Sequence, residues 1–590
     1  MDDPSSDGWD TEVYAEKAKK QLQLLGETLL EKGPDETAHL ATFAVSSFAS
    51  EALRPAELTT AFEDKMLRVV RLVVDPVLPG LAASAPDAKA LAAMSHQGAE
   101  ALGAALIEAF AAFADASGVR LKVKVFRVVA DGDQIMTRQY LSLSGKKPGG
   151  GVIEQHATWD AGWVPDEDEG ALRLRWIRLL EFEECESQPE TSTLFFDVTA
   201  SALGGNPVYG EQFLHGMNHW FERIQGHGPD ILTANPGLSV GDVNGDGRDD
   251  LYVCQEEGLP NRLFIQQADG SALERSAAWG VDWLQASRSS LMVDLDSDGD
   301  QDLVVATRAG LVVAENDREE TFRVRDVLET GKDVKSLSAA DYDLDGRLDI
   351  HACVYVDERD LGSKPQSALP SAADGFQPHD ANDGARNVLY RNAISETGIW
   401  QFEDTTAETG LEVNNHRYSL AASWEDYDND GDQDLYISND YGRDQLFRNN
   451  AIVVGGRTGK GAFFTDLSDE SNAEDSANGM SASWGDYNRD GWMDVLVGNM
   501  WSSAGNRITF QSKFRKGSTP EVRERMQRLA RGNTLLQNRG DGTFADDSAA
   551  AGIEMGRWAW GTNLVDFNND GWEDVVIANG FITTEDTGDL

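Results

Sequence analysis

Ser483–Asn499 reads SWGDYNRDGWMDVLVGN, a polar loop held between two apolar runs. Numbered from Asp486, the loop carries Asp486, Asn488, Asp490 and Asp494 at positions 1, 3, 5 and 9, with Gly491 at position 6. Short oxygen-bearing side chains at alternate positions can fold inward around one hard cation, and glycine at position 6 permits the sharp turn that closes the loop. Calcium takes six to eight oxygens at about 2.3–2.6 Å, and this spacing supplies them once the backbone carbonyl of position 7 is included.

The pattern recurs along the chain. It is met at Asp242/Asn244/Asp246/Asp250, Asp294/Asp296/Asp298/Asp302, Asp341/Asp343/Asp345/Asp349, Asp426/Asp428/Asp430/Asp434 and Asp566/Asn568/Asp570/Asp574. Position 6 is glycine every time: Gly247, Gly299, Gly346, Gly431, Gly491 and Gly571. The carbonyls of position 7 come from Arg248, Asp300, Arg347, Asp432, Trp492 and Trp572. A bare hairpin turn asks for Asn-Gly or Asp-Gly, not for a carboxylate at position 9 each time. About six structural Ca²⁺ ions are therefore expected. An EF-hand is excluded, because it needs a glutamate at position 12 and flanking helices. Position 12 here is Val253, Val305, Ala352, Ile437, Val497 or Ile577, inside runs such as LYV, LVV and VLV that read as buried strands. Each loop joins strand to strand.

The loops start at 242, 294, 341, 426, 486 and 566. A base unit of about 50–60 residues with four short strands is the period of a propeller blade. Asn261-Arg-Leu-Phe264, Asn387-Val-Leu-Tyr390 and Gln445-Leu-Phe447 mark third strands; Phe402-Glu-Asp404, Phe464-Thr-Asp466 and Phe544-Ala-Asp546 mark fourth strands. With NTLLQNRGDGTFADDSAAAG at Asn533–Gly552 and the recurring W-x-D-Y-[DN]-x-D-G loops, the region 235–590 resembles FG-GAP/VCBS propeller repeats of the cartilage-acidic-protein-like type. That resemblance implies six or seven four-stranded blades with calcium in the blade hairpins. The chain stops at Leu590, just after the strand Val575–Ala578, so the last blade is expected to take strands 3 and 4 from upstream, unless the chain is a fragment.

Ahead of the repeats, residues 1–117 read as the helical part of an α+β domain. Its helices are expected at Tyr14–Leu30, at Glu57–Val74 and from Pro86-Asp87 through Phe113. Residues 118–202 switch to a period of two, with Leu121, Val123 and Val125 alternating with lysines, and predict an antiparallel meander closing with Thr191–Thr199. Helices followed by a meander resemble, in element order, the nuclear-transport-factor-2-like cone. His156, Trp159 and Trp163 are the residues to inspect in such a cone, the tryptophans reading first as core. Residues 203–234 read as a helical connector, with Tyr209–Ile224 at helical spacing.

Composition narrows the function. A formal net charge of −50 argues against broad nucleic-acid binding, which needs a basic footprint. The three cysteines, Cys185, Cys254 and Cys353, make no disulfide framework, and the last two fall in strand runs as buried thiols. No stretch is long and uncharged enough for a membrane span. Calcium sites favour an extracellular, periplasmic or cell-surface setting, yet Met1–Trp9 has no signal-peptide character, which leaves the cytoplasm open.

Two large insertions, 357–386 and 500–531, follow second strands and are expected over the face away from the calcium loops. The second is basic. Lys513, Arg515, Arg523, Arg525 and Arg528 are candidates for a clamp on an anionic partner, either an acidic glycan or the chain's own acidic surface. The leading reading is a non-enzymatic, calcium-stabilised binding protein with a protein or glycan ligand. The alternatives are a lyase-like, polysaccharide-active enzyme on the propeller and small-molecule chemistry in the N-terminal cone. No catalytic residue is singled out by motif.

Overall fold

The computed structural model describes residues 10–32, 37–73, 85–113, 118–131, 134–166, 171–187, 195–215, 219–220, 223, 237–331, 333–356, 379–395, 398–454, 462–511 and 513–580. The chain is mainly β and divides into two compact units. One comprises Met1–Phe196 together with Ser502–Ser518; the other comprises Asp197–Trp501 together with Thr519–Thr584.

The first unit has one sheet, whose strands are β1 (Ala44–Ser50), β2 (Thr59–Glu63), β3 (Leu67–Arg71), β4 (His96–Gln97), β5 (Arg120–Asp131), β6 (Gln134–Lys146), β7 (Val152–Pro165) and β8 (Leu172–Ser187). The main path runs β2-β3-β8-β7-β6-β5, with β1 pairing β8 in parallel and β4 in antiparallel fashion. The helix Asp10–Lys32 sits where the sequence places it. Its Ala18, Leu22, Leu25 and Leu29 join Phe48, Leu102, Trp159, Trp163 and Ile177 in one core.

The expected helix Glu57–Val74 is instead the hairpin β2–β3. Its apolar spacing suits a helix, but turn chemistry wins: one carboxylate oxygen of Asp64 accepts the N–H groups of Met66 and Leu67, at 2.7 and 2.6 Å. With β1 also a strand, residues 1–117 are not purely helical. The long helix expected to run to Phe113 is split into Ala88–Ala93 and Ala101–Phe110. Gly98 breaks it at φ 90°, its N–H donating to the Phe48 carbonyl at 2.7 Å. Thr199, expected in a strand, opens the short helix Thr199–Leu203 because Asp197 accepts its N–H at 2.9 Å. The segment Ser502–Ser518 completes this unit. Arg507 reaches the Glu12 carboxylate at 2.8 Å, and the Arg127 guanidinium lies 3.7 Å from the centre of the Phe510 ring.

The second unit contains five four-stranded antiparallel sheets and one two-stranded sheet among the described residues. Their first strands are Leu238–Gly241, Ser287–Val293, Val334–Ala340, Ser419–Glu425, Ser481–Gly485 and Ala559–Val565. The matching second strands are Asp250–Val253, Asp302–Thr307, Asp349–Val354, Asp434–Asn439, Asp494–Gly498 and Asp574–Asn579. Third strands follow at Arg262–Gln266, Gly310–Asn316, Val388–Asn392, Gln445–Arg448 and Thr534–Asn538. In the connector Tyr209–Phe213 is one wide helical turn, and most of 216–236, including the rest of the expected helix to Ile224, lies outside the described residues.

Second strands two to five are buried along their whole length, which is why they read as unbroken apolar runs: both faces are packed. Successive sheets share these faces. Tyr252 and Leu263 meet Met292, Leu303 and Val305; Val304 and Val313 meet Leu337, Ile350 and Tyr390; Cys353 and Leu389 meet Leu435, Ile437 and Phe447; Tyr436 and Leu446 meet Trp484, Val495 and Leu536. Cys254 and Cys353 are buried free thiols, as expected.

Candidate metal centre

Six Asp loops join first strands to second strands, and one set of hydrogen bonds builds them all. The position-1 carboxylate accepts the N–H groups of positions 5 and 6, one on each oxygen. For Asp426 these are Asp430 and Gly431 at 2.9 and 3.0 Å, and for Asp486 they are Asp490 and Gly491, both at 2.9 Å. Asp242, Asp294, Asp341 and Asp566 do the same. Every position-6 glycine has positive φ, between 81° and 98°, so the sequence requirement is met by backbone conformation.

Position 9 opens the second strand and is tied from two sides. One oxygen of Asp302, Asp349 or Asp434 accepts the N–H of loop position 2, and the other accepts the N–H of the Asn that closes the third strand. Those Asn bonds measure 3.0 Å (Asn316), 2.8 Å (Asn392) and 2.7 Å (Asn449). Burial drives these carboxyls upward, despite the backbone bonds that lower them. Asp302 and Asp349 reach about 8, Asp434 about 9, Asp494 about 7 and Asp250 about 6.

In three loops the carboxylates of positions 1, 3 and 9 converge: Asp294/Asp296/Asp302, Asp341/Asp343/Asp349 and Asp426/Asp428/Asp434 each place one oxygen within 4.8 Å of the others. These clusters can hold a metal ion. The fit is supported by Asp296 Oδ1 and Asp428 Oδ1, which are buried with no hydrogen-bond partner. The other three loops have an Asn at position 3: Asn244, Asn488 and Asn568. There the Asn oxygen accepts the N–H of position 5 at 2.9 Å.

Position 5 stands apart from the converging carboxylates. Asp246, Asp298, Asp430, Asp490 and Asp570 are exposed, and none of them belongs to a converging cluster among the described residues. The reason is local: this acid stands at the tip of the loop and turns to serve the turn itself. Asp246 Oδ1 accepts the Arg248 N–H at 3.0 Å, while its Oδ2 accepts from the Asn244 amide at 3.1 Å and from the Arg248 guanidinium. Asp570 does likewise, Oδ1 accepting the Trp572 N–H at 2.9 Å and Oδ2 the Asn568 amide at 3.0 Å. In these two loops the position-3 amide and the position-5 carboxylate satisfy each other, so Asp246 and Asp570 are turn-forming acids in this structure.

Two functional features escaped sequence reasoning. Position 4 is left-handed in every loop, at Gly245, Ser297, Leu344, Asn429, Arg489 and Asn569. Only Gly and Asn advertise that in sequence. The second is the Asn closing the third strand. Its side-chain amide donates to the position-2 carbonyl of the preceding sheet's loop: Asn316 to Val243, Asn392 to Leu295, Asn449 to Tyr342 and Asn538 to Tyr427, at 2.7–2.9 Å. In sheets three to five the signal was present as an Asn three residues past the third-strand Leu389, Leu446 or Leu535.

The five basic candidates are divided between the two units. Lys513 and Arg515 belong to the segment counted with the first unit, whereas Arg523, Arg525 and Arg528 lie on the helix Pro520–Arg528 in the second. That helix is docked on the chain's own acids. Arg525 lies 3.8 Å from Asp380 and 3.5 Å from Glu474, and Arg528 grips both Asp475 oxygens at 2.9 and 3.3 Å. The remainder of the first insertion, 357–378, lies outside the described residues. In the first unit Trp159 and Trp163 are core, Trp163 donating to Thr137 at 2.7 Å. His156 pairs with Glu154 at 3.0 Å and Glu183 at 3.6 Å. Burial opposes its charge, but those acids outweigh it and raise the imidazole to about 9.

No helix among the described residues is long and apolar enough to cross a membrane. The chain is similar to cartilage acidic protein 1 of Mus musculus, 26% identical over 247 residues, covering 39% of this chain and 34% of that protein. The Homo sapiens protein of the same name gives 26% over 247 residues, covering 39% and 33%. The chain thus spans about a third of the length of these curated relatives. Among solved structures, the V. cholerae biofilm matrix protein Bap1 matches at a TM-score of 0.28 and 14% identity, covering 53% of this chain and 38% of that one. The Photorhabdus luminescens Tc holotoxin pore matches at 0.21 and 12%, covering 61% and 12%. The FG-GAP-like repeat family matches residues 294–352, 426–497 and 527–577, each stretch spanning at least one Asp loop and its second strand. The chain therefore carries FG-GAP-like repeats over these three stretches.

Proposed function

We propose that the repeat unit is a calcium-stabilised β-propeller that serves as a binding scaffold, with a protein or glycan as ligand. The observation that carries this reading is the convergence of carboxylates in the Asp loops, with buried, unpartnered oxygens at Asp296 and Asp428. Such oxygens want a cation, and the loop lengths and all-oxygen donor set suit calcium over softer-ligand metals. Asp294, Asp296 and Asp302, with the position-7 carbonyl and Asp298 from the exposed side, would hold one ion. The equivalent residues would hold the others, about six in all. The ion would neutralise the clustered carboxylates and lock each hairpin against its sheet. The propeller reading is supported by successive sheets that share buried faces through their second strands.

In our reading the ligand sits on the face away from the loops. Antiparallel strands put the links from second to third strand at the opposite end from the Asp hairpins, and the two long insertions are such links. The test is the melting temperature in calcium and in chelator. Calcium should raise it strongly and in a concentration-dependent way. Superimposable melting curves would remove the metal, and with it the reading of the loops as cation sites.

A further inference from the structure

The three loops with an aspartate at position 3 are not equivalent, and they differ in one residue of the third strand. That residue stands just before the closing Asn. It is Glu315, Arg391, Arg448 and Gln537 in sheets two to five. In sheet three, Arg391 Nε donates to Asp343 Oδ2 at 2.7 Å, and Nη2 donates to Asp345 Oδ2 at 2.6 Å. One guanidinium therefore bridges the carboxylates of positions 3 and 5. The contact is sheltered: the side chains of Asp343, Asp345 and Arg391 are 0%, 8% and 16% exposed. The remaining oxygens of the two acids are also taken. Asp343 Oδ1 accepts Asp345 N–H at 3.3 Å, and Asp345 Oδ1 accepts Arg347 N–H at 3.1 Å. Arg347 adds a second guanidinium 3.6 Å from Asp345.

The neighbouring loops differ. In sheet four, Arg448 donates to Asn450 at 3.2 Å, and Asp428 Oδ1 stays buried without a partner. In sheet two, the position is Glu315, which pairs outward with Arg325, and Asp296 Oδ1 is likewise without a partner. Arg318 does approach that loop, but at the carboxylates of positions 5 and 7, Asp298 and Asp300, leaving position 3 alone. Only in sheet three, among these loops, does a guanidinium hydrogen-bond the position-3 carboxylate. The three carboxylates of that loop still converge, so guanidinium and cation contend for the Asp343 carboxylate.

We infer that Arg391 is a built-in competitor for the cation at the Asp341–Asp349 loop, so that this loop binds calcium more weakly than those at Asp294 and Asp426 and holds its shape without it. This rests on the calcium reading of the loops. The experiment is a calorimetric calcium titration of the chelator-treated full chain, comparing wild type with Asp343→Asn, Asp296→Asn, Asp428→Asn and Arg391→Gln. Asp296→Asn and Asp428→Asn should each remove one tight site. Asp343→Asn should leave the number of tight sites unchanged, and Arg391→Gln should add one, by tightening a weak site about tenfold or more. In chelator, Arg391→Gln should also melt below wild type, because it strips two sheltered carboxylates of their counter-charge. Loss of a tight site in Asp343→Asn equal to that in Asp296→Asn overturns the competitor role alone. An unchanged isotherm in all three Asp→Asn variants overturns the calcium reading as well, and so separates the two failures.

Discussion

Single residues in the loops report on backbone strain and on charge, and the two can be probed apart. Gly431 has φ 98° with open space where a Cβ would stand, so Gly431→Ala carries a conformational cost only. It should destabilise the metal-free protein by about 1–2 kcal/mol. Ser297, at φ 62° and exposed, is the converse. Ser297→Gly should gain up to about 1 kcal/mol, and a loss in chemical denaturation would contradict the strain argument. Charge enters through Asp302, Asp349 and Asp434, which burial raises to about 8, 8 and 9. The folded state therefore holds protons that the unfolded chain has released above pH of about 4. Stability without metal should fall as pH rises from about 4 to about 9, and saturating calcium should abolish that fall, because the bound form needs the ionised acids. Denaturation midpoints across pH, with and without chelator, decide it. The converging carboxylates of three loops and the glycine were legible because their chemistry is written in residue type. Position 4 was not, because Ser, Leu and Arg do not declare a left-handed backbone. Nor was the outward turn of Asp246 and Asp570, because residue type does not say whether a carboxylate serves an ion or its own turn.

At the scale of elements, the sheets are held in sequence by polar ties as well as apolar faces. Asn392 is fully buried, donates to Leu295 and Leu348 carbonyls at 2.7 and 3.2 Å, and accepts Ile394 N–H at 3.0 Å. Asn392→Ala leaves those groups unmet and should cost about 2–3 kcal/mol, measured by denaturant unfolding. In the first unit, β7 and β8 carry the His156–Glu183 pair. The stabilisation of a charged His156 should be complete below its unfolded value of about 6.5 and lost as pH rises through about 9. A proton-resonance titration placing His156 at or below the ordinary histidine value would contradict this pairing. The repeat strands were legible because both their faces are packed and the sequence is apolar without interruption. The hairpin β2–β3 was not: Phe62, Met66, Val69, Val70 and Val73 satisfy a helical period, and the deciding contact is the local Asp64 turn.

For the whole molecule, a formal charge of −50 sets the background against which the loops act. Added monovalent salt should partly replace calcium in raising the melting temperature, by screening the acids, but without a stoichiometric end point. The onset of the repeats near 238 could be read from the sequence, whereas the change of period near residue 119 falls inside the first unit. The allegiance of Ser502–Ser518 to the first unit was not legible, because a partnership such as Arg507 with Glu12 spans nearly the full chain and leaves no local pattern. That allegiance has a consequence in time. The first unit is not finished when its own sequence has been synthesised. Some 300 residues separate Phe196 from Ser502, and a ribosome adding about 5–20 residues per second takes roughly 15–60 s to cover them. Until then the surfaces of Glu12 and Arg127 that receive the late segment are open, so the nascent first unit has to wait for the repeats to be made before it can close.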